Sequence, residues 1–106
     1  MMAFSILEMP KRLDSASVAK MQDAVRSAFN GKSKLVIFDF AACGFIDSRG
    51  LSVVVTGLKQ AQETNKMLRL VHVGEEIRLL LRVTRFERIC DIHDSMVSAT
   101  DLTIGE

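Results

Sequence analysis

Asp47, Ser48, Arg49 and Gly50 stand together between two apolar stretches, residues 36–46 and 51–61. A hydroxyl flanked by a carboxylate and a guanidinium can accept a phosphoryl group. The same residue types can equally open a helix, because Asp or Ser ahead of a first turn accepts hydrogen bonds from the free amides there. On spacing alone the capping reading is the commoner one. If Ser48 does carry phosphate, the unpaired amides and partial positive charge of a helix start favour it. Gly50 would let the backbone approach a partner or ligand closely.

A second chemistry overlaps the first. Cys43 and Arg49 are separated by five residues, the spacing of a C-x5-R loop between a strand and a helix. In such loops a thiolate attacks phosphorus while amides and the arginine hold the phosphate oxygens. The intervening residues argue against it. Phe45 and Ile46 are bulky where amides must converge, and Asp47 puts a carboxylate where the anion would bind. Gly50 stands where a hydroxyl residue often assists the thiolate. The chain is therefore read as a non-enzyme. Cys43 and Cys90 sit in apolar segments and are expected to be free thiols acting as small hydrophobes. No CxxC and no His/Cys cluster is present, so neither a metal site nor another cofactor is expected. His72, in a strand-like run, and His93, beside Asp94, read as ordinary packed or surface histidines.

The bulk properties frame these residues. A chain of 106 residues fits one domain, and 48% apolar content supplies one core without a deep enclosed cleft. The 14 Lys and Arg balance 13 Asp and Glu with no dense basic cluster, which argues against nucleic-acid binding. No basic segment precedes a long apolar one at the start, and no apolar run approaches the ~18 residues of a membrane span. The expectation is a cytoplasmic protein.

The elements that must position the site follow from periodicity. Residues 4–9 form a short apolar run ended by Pro10, an edge-strand pattern. Asp14 or Ser15 opens a helix with apolar residues at Val18, Met21, Val25, Ala28 and Phe29, and Asn30-Gly31 closes it in a left-handed cap. Residues 35–40 are almost continuously apolar, as in a central strand covered on both faces. A helix from Leu51 places Leu51, Val54, Val55, Leu58 and Ala61 on one face, with Gly57 marking a close approach. A strand at 67–73, a helix from Glu75 to about Thr84 and a last strand at 89–92 complete the order. The expected fold is a small α/β sandwich: about four strands, mostly parallel or mixed, with helices mainly on one face. One domain over 1–106 is expected, with a core at about 4–95 and a mildly polar tail at 96–106. Whether Leu102 and Ile104 dock is left open by the sequence.

The run V-I-F-D-F at 36–40, a short spacer, then F-I-D-S-R-G-L at 45–51 and an apolar helix resembles the signature of STAS domains of the anti-sigma-factor-antagonist kind. Leu13-Asp14-Ser15-Ala16 resembles that family's entry to its first helix, residues 66–74 its third strand and 77–86 its closing helix. The likeness covers roughly residues 10–95. Arg49 departs from it, since a small residue is common there. So does the N-terminus, with room for one strand where many members carry a hairpin.

The resemblance implies a phosphoswitch. Ser48 would be the phosphoacceptor, Asp47 its acidic neighbour and Gly50 the glycine that keeps the helix start open. The implied partner is an anti-sigma factor with serine kinase activity, bound when Ser48 is unmodified and released once it is phosphorylated. A PP2C-type phosphatase would reset the switch. The expected partner-facing patch is Asp47, Ser48, Arg49, Gly50 and Ser52, with Asp14 and Ser15 at the neighbouring helix start. A monomer when free is the default reading. A constitutive protein-binding or sensor module without a phosphoswitch is the alternative the resemblance leaves open.

Overall fold

A computed structural model describes residues 4–103. Its centre is the strand with no polar interruption, β3 (Leu35–Asp39), of which the first four residues are buried. β1 (Phe4–Glu8) and β5 (Met67–Val71) flank it, and β6 (Asp91–His93) lies outside β5. All pairings in this four-stranded sheet are parallel, in the order β1-β3-β5-β6. Parallel neighbours need crossovers, and α1 (Val18–Phe29), α2 (Ser48–Thr64) and α3 (Glu75–Val83) supply them.

These three helices bury Met21, Val25, Leu51, Val54, Ile77 and Leu81 against Val36, Phe38, Leu68 and Leu70 on one face of the sheet. Gly57 explains how α2 gets so close: a Cβ there would lie 2.7 Å from the Phe38 ring. The alternate residues of the strands, Leu35, Ile37 and Val71, pack on the other face with Ala99 and Met96. Those two belong to α4 (Met96–Ala99), a short helix in the segment expected to be a tail.

Arg69 lies on this second face with no exposure. Its Nη1 donates to the carbonyls of Ala99 at 3.1 Å and Asp101 at 2.6 Å, and its Nε is 3.3 Å from Asp91 Oδ2. The other Asp91 oxygen is 2.9 Å from His93 Nε2, and His93 Nδ1 is 2.6 Å from Ser98 Oγ. The Arg69–Asp91–His93–Ser98 chain thus ties β5 and β6 to α4. Polar groups can be held at such depth because each faces a carbonyl, a hydroxyl or an opposite charge there.

Local expectations differ from the structure in several places, among them the strand expected over 67–73, which ends at Val71 and leaves His72 outside it at φ 59°. The N-cap position of α1 is Ser17, whose side chain makes no capping hydrogen bond, rather than Asp14 or Ser15, and the C-cap Asn30 keeps right-handed φ of −83°. The left-handed cap belongs instead to Asn65, after α2, at φ 57°. α2 begins at Ser48, three residues before the expected start at Leu51. A 3-10 turn, Phe86–Arg88, precedes the last strand, which runs over Asp91–His93 rather than 89–92. Two short strands were not foreseen: β2 (Arg12–Leu13) and β4 (Phe45–Ile46) pair in parallel beside the main sheet. Leu102 is partly exposed, and Ile104 lies outside the described residues.

Candidate functional site

The β2–β4 ribbon carries the chain into α2. Leu13 pairs with Ile46, and the Leu13 carbonyl also accepts from Asp47 N at 3.3 Å. Asp47 is in extended backbone, and its Oδ1 accepts from Gly50 N at 2.8 Å while its carbonyl accepts from Leu51 N at 2.9 Å. This is an N-cap: the carboxylate satisfies one of the orphan amides of the first turn. The amides of Ser48 and Arg49 stay at the open end of the helix.

Ser48 is the first residue of this 17-residue helix and is exposed, and its hydroxyl has no hydrogen-bond partner among the described residues. The two readings of the Asp-Ser pair therefore separate by residue. Asp47 does the capping, which leaves the Ser48 hydroxyl uncommitted.

Gly50 points inward. A Cβ on it would stand 1.8 Å from the Leu13 carbonyl oxygen, so its small size serves the contact between α2 and β2. The sequence could not give that direction. Arg49 is exposed and joins Ser15 and Ser52 in lining a shallow groove of about 370 Å³, with Val18, Ala19 and Gln22 from α1 forming its other wall. Of the expected patch, Ser15, Arg49 and Ser52 are thus brought together between the starts of α1 and α2. The Ser52 hydroxyl is already engaged, donating to Arg49 O at 2.6 Å and accepting from Gln22 Nε2 at 3.3 Å. Asp14 is held in its own turn, accepting from Ala16 N at 3.0 Å and pairing with Arg12 at 3.2 Å. Gln22 is the wall residue that sequence reading missed, since a glutamine at one helix position carries no signal of the helix it faces.

The C-x5-R reading fails on the same geometry. Cys43 is buried, its thiol donates to the Phe45 carbonyl at 3.4 Å, and burial pushes its pKa up. A nucleophilic thiolate needs the opposite environment. Arg49 meanwhile lines the α1–α2 groove, of which Cys43 is not a wall. Among the described residues no group of three or more His, Cys, Asp or Glu is placed to hold a metal ion, and no helix is long and apolar enough to cross a membrane.

Known proteins share this frame. A family model of the STAS domain matches residues 3–99. A candidate anti-sigma factor antagonist from Thermotoga maritima, 25% identical, superposes with a TM-score of 0.82 over 92% of this chain and 84% of that one. An anti-sigma-factor-antagonist (STAS) domain protein from Planctomyces limnophilus, 19% identical, gives 0.81 over 92% and 87%. The Bacillus cell fate determinant SpoIIAA, solved in its phosphorylated form and 14% identical, gives 0.69 over 91% and 87%. The last two likenesses establish the fold alone.

Proposed function

This chain belongs to the STAS domain family, and on that premise we propose that it is an anti-sigma factor antagonist that switches partners through phosphorylation of Ser48. The observation that carries the reading is the exposed, uncommitted Ser48 hydroxyl at the first position of α2, beside a cap that Asp47 already completes. In its unmodified form the protein binds an anti-sigma factor that is also a serine kinase. The surface fitted to that partner is Ser48 with the adjoining groove of Ser15, Arg49 and Ser52. The kinase transfers the γ-phosphoryl group of ATP to Ser48 Oγ, releasing ADP and the hydroxyl proton. A PP2C-type phosphatase hydrolyses the ester and restores the binding form.

Phosphate adds about −1.5 to −2 charge at one point of the contact. Against a surface fitted to a neutral hydroxyl, that charge meets unmatched desolvation and like-charge repulsion, on the order of a hundredfold in affinity. In the free protein the open amides of α2 and the Arg49 side chain take up the same charge. The switch therefore acts on binding and leaves the fold intact.

The test is intact mass and phosphosite mapping on protein purified from its native cells, wild type beside Ser48→Ala. One added phosphate at Ser48, absent from the variant, is the expected result. Protein left unmodified at Ser48 under every growth condition would replace this reading with a constitutive binding module.

A further inference from the structure

The outer face of α3 is uncovered, apolar at its centre and flanked by ordered charge. Ile77 and Leu81 turn inward and are buried, which leaves Leu79 at 54% and Val83 at 67% exposure on the opposite side. Glu75 and Glu76 occupy the first turn and Arg82 the last. A groove of about 590 Å³ runs along this face, lined by Val73, Glu75, Glu76, Arg78, Leu79 and Arg82. The arrangement is acidic at one end, apolar in the middle and basic at the other.

We propose that this face is a self-association surface, on which α3 of a second copy of this chain packs antiparallel about a two-fold axis passing near Leu79. The charge order selects that occupant. Glu76 stands three positions before Leu79 and Arg82 three after, so a two-fold axis at Leu79 sets Glu76 of each copy against Arg82 of the other. An isologous contact needs this kind of self-complementarity. Leu79 meets its own counterpart at the axis, and Val83 comes opposite Glu75, where its methyls cover the stem of that side chain. A uniformly acidic or basic partner would leave one end repelled. An anionic lipid surface would press against Glu75 and Glu76.

Arg82 can turn to a second copy. It is 62% exposed, and its neighbour Glu87, 3.5 Å away, is also paired with Arg78 at 3.3 Å. One helix face is well below a standard interface, so the dimer is weak, with a dissociation constant on the order of 100 µM, and salt-sensitive. Glu76 also borders a small pocket with Phe45 and Ile46, which places one edge of the dimer beside the strand leading to Ser48. The inference does not depend on phosphorylation of Ser48.

The experiment is sedimentation equilibrium of the full chain up to millimolar concentration, at low and high salt. Four variants accompany the wild type: Glu76→Arg, Arg82→Glu, the double E76R/R82E and Leu79→Glu. All three positions are exposed, and circular dichroism checks the fold of each. Wild type is expected to move toward twice the chain mass at low salt. Each single variant should weaken association at least about tenfold, since Glu76→Arg and Arg82→Glu each create a like-charge pair twice per dimer and Leu79→Glu sets two carboxylates against each other at the axis. The double variant, with the charge order reversed but complementary, should restore it. A single-chain mass throughout overturns the proposal. So does a dimer that the single variants leave unchanged, or a double variant that fails to recover. Monomer that sediments with phosphatidylglycerol vesicles would reassign the face to lipid.

Discussion

Gly50 packs directly against the backbone of Leu13: a Cβ on Gly50 would stand 1.8 Å from the Leu13 oxygen and 2.6 Å from its carbon. Both neighbours are backbone, so no side chain can turn aside. Gly50→Ala must therefore push the start of α2 off β2, and it should destabilise the fold by roughly 3 kcal/mol. The same shift would disturb the Asp47 cap, whose acceptor distance to Gly50 N is 2.8 Å. Urea denaturation measures the loss. A change under about 0.5 kcal/mol, the range of ordinary surface substitutions, would mean that α2 is not seated on β2 in this way.

Ser48 supports the opposite expectation. A carboxylate at the first position of a helix faces the positive end of its dipole, worth about 0.3–1 kcal/mol. Asp47 next to it subtracts from that gain, and Arg49 adds to it. Ser48→Asp should leave stability within about 1 kcal/mol of wild type, with an unchanged circular dichroism spectrum. A loss beyond about 2 kcal/mol would show that added negative charge at this position strains the fold, and would remove the basis for a switch that acts on binding alone.

The contrast between these two neighbours shows where sequence reading stopped. The apolar run at 35–40 and the stripes of α1 and α3 were legible because a buried strand and a one-sided helix leave periods in the sequence. The frame around Asp47 and Ser48 was legible for the same reason, with a strand before it and an apolar helix after it. β2 and β4 were not, because two-residue strands carry no period, and without them the direction in which Gly50 is crowded could not be known. α4 escaped for a related reason: four residues are too few to show a stripe. Arg69 sits at the middle of an apolar strand, and nothing in its neighbours along the chain announces that its partners lie at 91, 99 and 101.

Cys90 gives a prediction about pH. Burial pushes its thiol up to about 11 from an ordinary value of 9.0. The thiolate is the reactive form, so near pH 8 alkylation of Cys90 should be on the order of a hundredfold slower in the folded protein than after unfolding. The sign of the linkage follows. The folded state keeps its proton to higher pH than the unfolded state, so the stability contributed by the neutral thiol is complete below about pH 9 and declines as pH rises through about 11. Iodoacetamide labelling followed by mass spectrometry, with and without urea, reads the difference. Equal rates would place Cys90 in water.

Arg69 and Asp91 are joined at 3.3 Å, yet their surroundings are unequal: the arginine side chain is 0% exposed and the aspartate 45%. That asymmetry predicts unequal losses. Replacing Asp91 by Asn removes a carboxylate charge facing a fully buried guanidinium, and should be the costlier of the two changes. Replacing Arg69 by Met keeps the volume and frees Asp91 to turn to water, while among the described residues the carbonyls of Ala99 and Asp101 lose a donor. That change should cost about 1–3 kcal/mol. Both variants should loosen α4, because Arg69 and the Asp91–His93–Ser98 chain tie it to the sheet beside the apolar packing of Ala99 and Met96. Amide exchange over residues 98–101 should rise in each, ahead of exchange in β3. If Arg69→Met proves the costlier of the two, or if exchange rises evenly across the sheet, the network is part of the general core rather than a latch on the C-terminal helix.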